Sequence, residues 1–148
     1  MPKVLTPALL TALLAAAPTL AADSDARVPV QMPEMMKDHM RANMRDHLLA
    51  LQEIQSALAR GQYDEAATIA EQRLGMSSLD AHGAQHMAGL MPEGMQAIGT
   101  GMHRAASRFA VTAQEAAVGR DLSAALQALS EVTRQCVTCH AGYRIKSP

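Results

Sequence analysis

Two cysteines and a histidine near the C-terminus constrain this chain more than any other feature of it. Cys136-Val137-Thr138-Cys139-His140 is a C-x-x-C-H sequence, and its cysteines are the only two among the 148 residues. Cysteines at this spacing can form thioethers to the two vinyl groups of a haem while the adjacent histidine ligates the iron. The motif therefore predicts one covalently attached haem c, held by Cys136 and Cys139, with His140 as an axial iron ligand.

Two other uses of the cysteine pair compete with this interpretation. In an exported protein, two cysteines three positions apart can oxidise to a small disulfide loop. A zinc site would need a fourth ligand beside the cysteines and the histidine, and the sequence has no second C-x-x-C. The histidine directly after the second cysteine favours haem over both.

The first 22 residues have the composition of a secretory signal peptide. Lys3 gives a positive start, Leu and Ala dominate the stretch that follows, and small residues precede the expected cleavage site. A membrane anchor is the alternative, but two prolines interrupt a run shorter than the roughly 20 apolar residues that a spanning helix needs. We therefore expect residues 1–22 to be removed and residues 23–148 to form one exported domain without a membrane span.

The charge balance and the missing motifs exclude several function classes. Removing 22 of the 148 residues takes away one lysine and leaves 126 residues with 12 basic and 14 acidic side chains. Such a surface does not favour nucleic acid, which requires clustered positive charge. There is no glycine-rich phosphate loop and no G-x-S-x-G sequence. We expect a protein that is not an enzyme.

The pattern beyond residue 23 predicts an all-α fold of four helices and no strand. Ala, Leu, Met, Gln and Glu dominate, whereas β-branched and aromatic residues are scarce. The first helix is expected to begin at Pro33 and end before Gly61, and the second to end at Gly75. A long connection follows. Pro92 opens the third helix, and Asp121 is the expected N-cap of the fourth.

Apolar residues recur at steps of three and four along the predicted helices, which indicates one buried face on each. On the first helix this face holds Met36, Met40, Met44, Leu48, Leu51, Gln55 and Leu58. On the fourth helix it holds Leu122, Leu126, Leu129, Val132, Cys136, His140 and Tyr143. The proposed haem ligands thus continue the apolar face of the last helix.

The stretch from Cys136 to Arg144 resembles the cytochrome c prime family, or class II c-type cytochromes, in which the haem motif lies near the C-terminus and is followed by Tyr-Arg. The likeness extends upstream through Gly119-Arg120-Asp121 and Ala59-Arg60-Gly61-Gln62-Tyr63 and covers about residues 36–146. It implies an antiparallel four-helix bundle in the periplasm that exchanges electrons with redox partner proteins. It also implies that two copies can pair through their first helices into a homodimer.

The resemblance also implies how the iron is ligated. His140 would be the fifth ligand, and the first helix would cover the opposite face of the haem. Some members of the family place an apolar residue there and bind NO or CO, whereas others donate a methionine sulfur and carry electrons. Met44 matches the ligand of the second branch, with Met40 and His47, one turn to either side, as alternatives. A thioether opposite a histidine favours reduced iron, so we expect electron transfer.

Two further features carry alternatives. Arg144 resembles a basic residue of the family and would stabilise a haem propionate or the proximal pocket, unless it is a solvated surface arginine.

Imidazole and thioether groups also cluster in the first helix and in the connection, and copper prefers such ligands. A copper-handling protein is therefore a second alternative function, although methionine on an amphipathic helix is usually core. The two clusters are His39, Met40, Met44 and His47, and His82, His86, Met87 and Met91.

Overall fold

The computed structural model describes residues 25–146, so the predicted signal peptide and the last two residues lie outside the described part of the chain. Its elements in order are β1 (Val28–Gln31), α1 (Glu34–Ala59), α2 (Tyr63–Arg73), a 3-10 turn (Met76–Ser78), α3 (Ala84–Ala88), α4 (Glu93–Gly119), α5 (Leu122–Gly142) and β2 (Tyr143–Lys146). The fold is mostly helical, as predicted. The predicted third and fourth helices are α4 and α5.

The long helices end where the sequence predicts, because residues next to each end determine it. Pro33 is the residue before α1, and Gly61, which follows that helix, has the left-handed φ of 72°. The Asp121 carboxylate accepts a hydrogen bond from the Ala124 backbone N–H at 3.0 Å and so caps α5. The predicted connection over residues 76–91 holds only the 3-10 turn and the five-residue α3.

The expectation that the chain has no strand is wrong. β1 and β2 form a parallel two-stranded sheet in which Val28 lies opposite Tyr143 and Gln31 opposite Lys146. Tyr143 therefore lies in a strand and not on the buried face of the last helix. Each strand has four residues, too few for a period-2 pattern to stand out, and each depends on its distant partner for backbone hydrogen bonds.

The larger of two apolar cores lies where α4 packs against α2 and α5 and where α2 packs against α1. Alanine dominates it, and these short side chains let helix backbones approach one another closely. Phe109 is fully buried at its centre. The buried alanines of α2, α4 and α5 are Ala66, Ala67, Ala70, Ala105, Ala106, Ala110, Ala113, Ala116 and Ala125.

The buried faces differ from the predicted ones at several positions. Leu48 on α1 is 69% exposed and Leu126 on α5 is 47% exposed, and Gln55, Leu122 and His140 are also exposed. On α5 the alanine at position 125 takes the place at the helix contact that Leu126 was expected to fill. The pattern did not distinguish a small residue in close helix contact from a leucine beside it on the surface. The other buried residues of these two helices are Lys37, Met40, His47, Ala50, Leu51, Ile54, Ala57, Leu58, Leu129 and Val132.

A second, smaller core holds most of the methionines. We call it the methionine cluster, and its buried members are Val30, Met32, Met40, Met87 and Met95. Half-buried residues that pack against it come from α1, the segment before α4, α5 and the sheet, among them Met44, Met91, Cys139 and Tyr143. No helix within residues 25–146 is long and apolar enough to cross a membrane.

Replacing Phe109 with alanine should lower the free energy of unfolding by about 3–5 kcal/mol, because a fully buried ring would leave a cavity among short alanine side chains. Denaturant unfolding followed by circular dichroism measures the change. Val118 on the same helix is 92% exposed, and Val118→Ala should leave the stability unchanged within about 0.5 kcal/mol. Equal losses in the two variants would contradict the assignment of the core.

Candidate functional site

A cavity of about 550 Å³ is bordered by α1, α4, the end of α5, β2 and the segment around α3. Its wall is mostly apolar and is rich in thioether side chains, which are flexible and polarizable and adapt to an irregular or rigid occupant. The methionines that line it are Met40, Met44, Met87, Met91, Met95 and Met102. The cavity therefore suits a large apolar group.

The C-x-x-C-H motif lies at the boundary between this cavity and the larger core. Cys139 and His140 line the cavity, whereas Cys136 packs against the larger core and its thiol donates to the Val132 carbonyl at 3.6 Å. Both cysteines are free thiols. Burial raises the pKa of each thiol, so both are protonated at neutral pH.

All three candidates for the second axial ligand line the same cavity. Met40, Met44 and His47 lie on one face of α1 at steps of four and three residues. Met40 and His47 are buried, and Met44 is half-buried. The Nε2 atom of His47 is itself buried and has no hydrogen-bond partner within residues 25–146.

The charged groups in the cavity wall are cationic. Arg27, Arg41, Arg45 and Arg144 line it, and no Asp or Glu of the described chain does. Arg144 lies on β2 with only 22% of its side chain exposed and with its Nε 3.5 Å from a carboxylate oxygen of Asp25. It is therefore part of the wall and not a solvated surface arginine. The wall favours an occupant that carries negative charge.

Asp25 lies beside two of these arginines just outside the cavity. The side-chain hydrogen bond from Arg27 is the main reason that the pKa of Asp25 falls to about 2. The carboxylate is therefore ionised throughout the neutral range. It pairs with the guanidinium groups of Arg27 and Arg144, both of which line the cavity.

Three histidine rings meet in the same wall, and the sequence predicted only two of them. The ring centroids of His47 and His82 lie 4.7 Å apart, those of His82 and His103 lie 5.5 Å apart, and those of His47 and His103 lie 6.2 Å apart. Burial lowers the pKa of all three rings, that of His47 to about 4. One feature of the sequence could have pointed to His103, because it directly follows Met102, which lies on the apolar face of α4.

The two predicted clusters of histidine and methionine are rearranged. His39 donates a hydrogen bond from Nε2 to the His82 carbonyl at 2.9 Å, and His86 is exposed. Their methionines, together with His47 and His82, line one common cavity. Within residues 25–146, no group of three or more His, Cys, Asp or Glu side chains is already arranged to hold a metal ion.

Comparison of the chain with protein-family models, with curated protein sequences and with solved structures gave no match in any of the three.

The buried histidines should make the stability depend on pH. Burial lowers the folded-state pKa of His47 from the ordinary 6.5 of an imidazole to about 4, so the unfolded chain takes up a proton first as the pH falls. Stability is therefore complete above pH 6.5 and should fall by about 2–3 kcal/mol as the pH drops towards 4. Denaturant unfolding at pH 7, 5.5 and 4.5 measures this loss.

The matched variants for this measurement are His47→Gln and His86→Gln. The first should flatten the pH dependence because it removes the buried titrating ring, and the second should keep it because His86 is exposed. A His47→Gln chain that loses as much stability between pH 6.5 and 4 as the unmodified chain would contradict the prediction.

Proposed function

We propose that the protein is a periplasmic monohaem c-type cytochrome that carries electrons. The observation that supports this most is the meeting of Cys139 and His140 with a methionine-lined cavity whose charged side chains are all arginines. A haem is a large apolar disc with two carboxylates, so its two chemical features correspond to the two features of this wall. The motif and the cavity are independent observations, and both favour the same group.

The residues present fit a haem. Cys136 and Cys139 would form the thioethers, and His140 would ligate the iron. The iron could take a second ligand from α1, which lines the same cavity with two thioethers and with the buried Nε2 of His47, an atom that has no hydrogen-bond partner within residues 25–146. Bound haem supplies one-electron exchange between Fe(II) and Fe(III).

The chain's own residues have three tasks in this function. The methionine side chains of α1 and α4 exclude water and lower the local dielectric, which together with the axial ligands sets the potential. Arg144 would orient and neutralise a propionate, aided by the arginines nearby. Met44 would ligate the iron together with His140, and because both ligands would stay bound in the two oxidation states, little rearrangement would oppose electron transfer.

The finer architecture belongs to the same proposal. We infer that α1, α2, α4 and α5 are the four helices of an antiparallel bundle like that of the cytochrome c prime family. Leu48 and Leu49 are 69% and 50% exposed on the outer face of α1, which is consistent with pairing of two copies through this helix. The redox partner would be another periplasmic protein.

Covalent attachment is tested by mass analysis of protein made in a host that matures c-type cytochromes. We expect the mass of residues 23–148 plus one haem, and Cys139→Ala should abolish stable attachment because the cavity-lining thiol is lost. Ser130→Ala on the exposed face of the same helix should leave attachment unchanged. A bare polypeptide mass for the unmodified chain would refute the proposal.

The second axial ligand is tested by absorption spectra of the reduced protein. We expect a sharp α band that carbon monoxide does not alter, and Met44→Ala should give a broad band that shifts with the gas because the iron loses its sixth ligand. Met36→Ala, a half-buried methionine of the same helix that does not line the cavity, should leave the spectrum unchanged. A gas-sensitive spectrum of the unmodified protein would favour the alternative, a gas-binding cytochrome c prime. No change with Met44→Ala would move the assignment to Met40 or His47.

A further inference from the structure

One wall of the cavity is formed by the chain between the 3-10 turn and α4, which we call the wall segment (residues 79–91). Its residues His82, Ala84, Met87 and Met91 line the cavity, and Met87 is buried. The only regular structure in this segment is the five-residue helix α3. A single short helix does not fix where such a segment lies. Its position therefore depends on contacts with the neighbouring helices.

Two side chains of α1 hold the wall segment at one backbone atom. His39 donates from Nε2 to the His82 carbonyl oxygen at 2.9 Å, and the Asn43 side-chain amide donates to the same oxygen at 3.1 Å. A carbonyl oxygen has two lone pairs, so it can accept both hydrogen bonds. Apart from a bond that the Gln96 amide donates to the Met91 carbonyl, no other hydrogen bond of the described chain joins the wall segment to α1, α2, α4 or α5.

The residue after this carbonyl shows how closely the two parts of the chain approach. Gly83 has a φ of 62°, in the left-handed region that favours glycine, and a Cβ atom there would lie 3.2 Å from Nε2 of His39. A side chain at position 83 would strain the backbone and crowd the ring that donates the hydrogen bond. We call this contact the α1 joint, and it consists of His39, Asn43, the His82 carbonyl and Gly83.

The α1 joint lies on the same part of α1 as the proposed iron ligand. Met40 directly follows His39 and Met44 directly follows Asn43, and both thioether side chains line the cavity. Met44 packs against the methionine cluster, to which Met87 of the wall segment belongs. The wall segment therefore covers the α1 side of the cavity, where the second axial ligand is proposed.

We propose that His39 and Asn43 are positioning residues that hold the wall segment against α1 and thereby exclude small gaseous ligands from the iron. This inference rests on the proposed function. Carbon monoxide can bind only if the Met44 thioether moves away from the iron, and a fixed wall segment restricts the space for that movement. The α1 joint would then decide, together with Met44, whether this chain carries electrons or binds gas.

The first measurement is backbone amide hydrogen exchange in the wall segment of the purified holoprotein. Asn43→Asp keeps the size of the side chain but cannot donate to the His82 carbonyl, and His39→Ala removes the other donor. Each change should speed exchange of the Met87 amide about tenfold, because the segment opens more often when it loses one of its two bonds to α1. His39→Gln, whose amide can still donate, should retain most of the protection.

The second measurement is the absorption spectrum of the reduced holoprotein under carbon monoxide. Before the gas is added, Asn43→Asp and His39→Ala should keep the sharp α band, because Met44 is still present. At equal gas concentration, the shifted fraction should rise about tenfold over that of the unmodified protein in both variants. His39→Gln should stay insensitive to the gas. Gln52→Ala, an exposed change on the same helix, should match the unmodified protein in both measurements.

Circular dichroism of each variant establishes that the fold is kept. Unchanged exchange of the Met87 amide in both Asn43→Asp and His39→Ala would overturn the α1 joint. Faster exchange with no response to carbon monoxide would overturn its role in excluding gas. Mass analysis of the same samples reports haem attachment separately. A bare polypeptide mass would refute the proposed function, and the exchange rates of that chain would still decide whether the joint holds the wall segment.

Discussion

The distribution of side-chain size along the helices is the constraint on which the rest of the structure depends. Where α4 meets α2 and α5 the facing residues are mostly alanine, so the helices pack closely and exclude other occupants. Towards the methionine cluster, α1 and α4 carry Met40, Met44, Met95 and Met102, and there a cavity separates them. The same helices build both regions. The close helix contact in the larger core therefore fixes how far apart the helices lie around the cavity.

The two cysteines of the C-x-x-C-H motif contact different regions because α5 runs from the larger core to the methionine cluster. Cys136 packs against the larger core, and Cys139, three residues later, lies against the methionine cluster. A group bonded to both sulfurs would be anchored beside the closely packed larger core and held over the methionine-lined cavity. Anchoring at a packed core and polarizable surroundings together suit a cofactor that must change charge without a large rearrangement.

Residues whose signals are local could be predicted, and residues whose partners are distant in sequence could not. Pro33, Gly61 and Asp121 each act within one turn, and the helix ends lie where they indicated. The meeting of Met44 with Cys139 and His140 in one cavity followed from a resemblance and could not be derived from spacing. The Ser78 hydroxyl lies within hydrogen-bond distance of both His82 and His103, and Val28 pairs with Tyr143 in the sheet. Neither contact produces a periodic pattern in the sequence. Leu48 and Leu126 show the related limit, since hydrophobicity alone did not tell a buried face from its edge.

The parallel sheet has a consequence for the order in which the chain acquires its structure. Val28 and Tyr143 stand 115 positions apart, so their pairing closes a long loop and has a large entropic cost. Helices that assemble from nearer neighbours would form first, while Tyr143, Arg144 and Ile145 still leave one side of the cavity uncovered. We expect a bulky group to enter most easily at that stage. Pairing of the two ends would then close this side of the cavity, and fraying of the ends would reopen it.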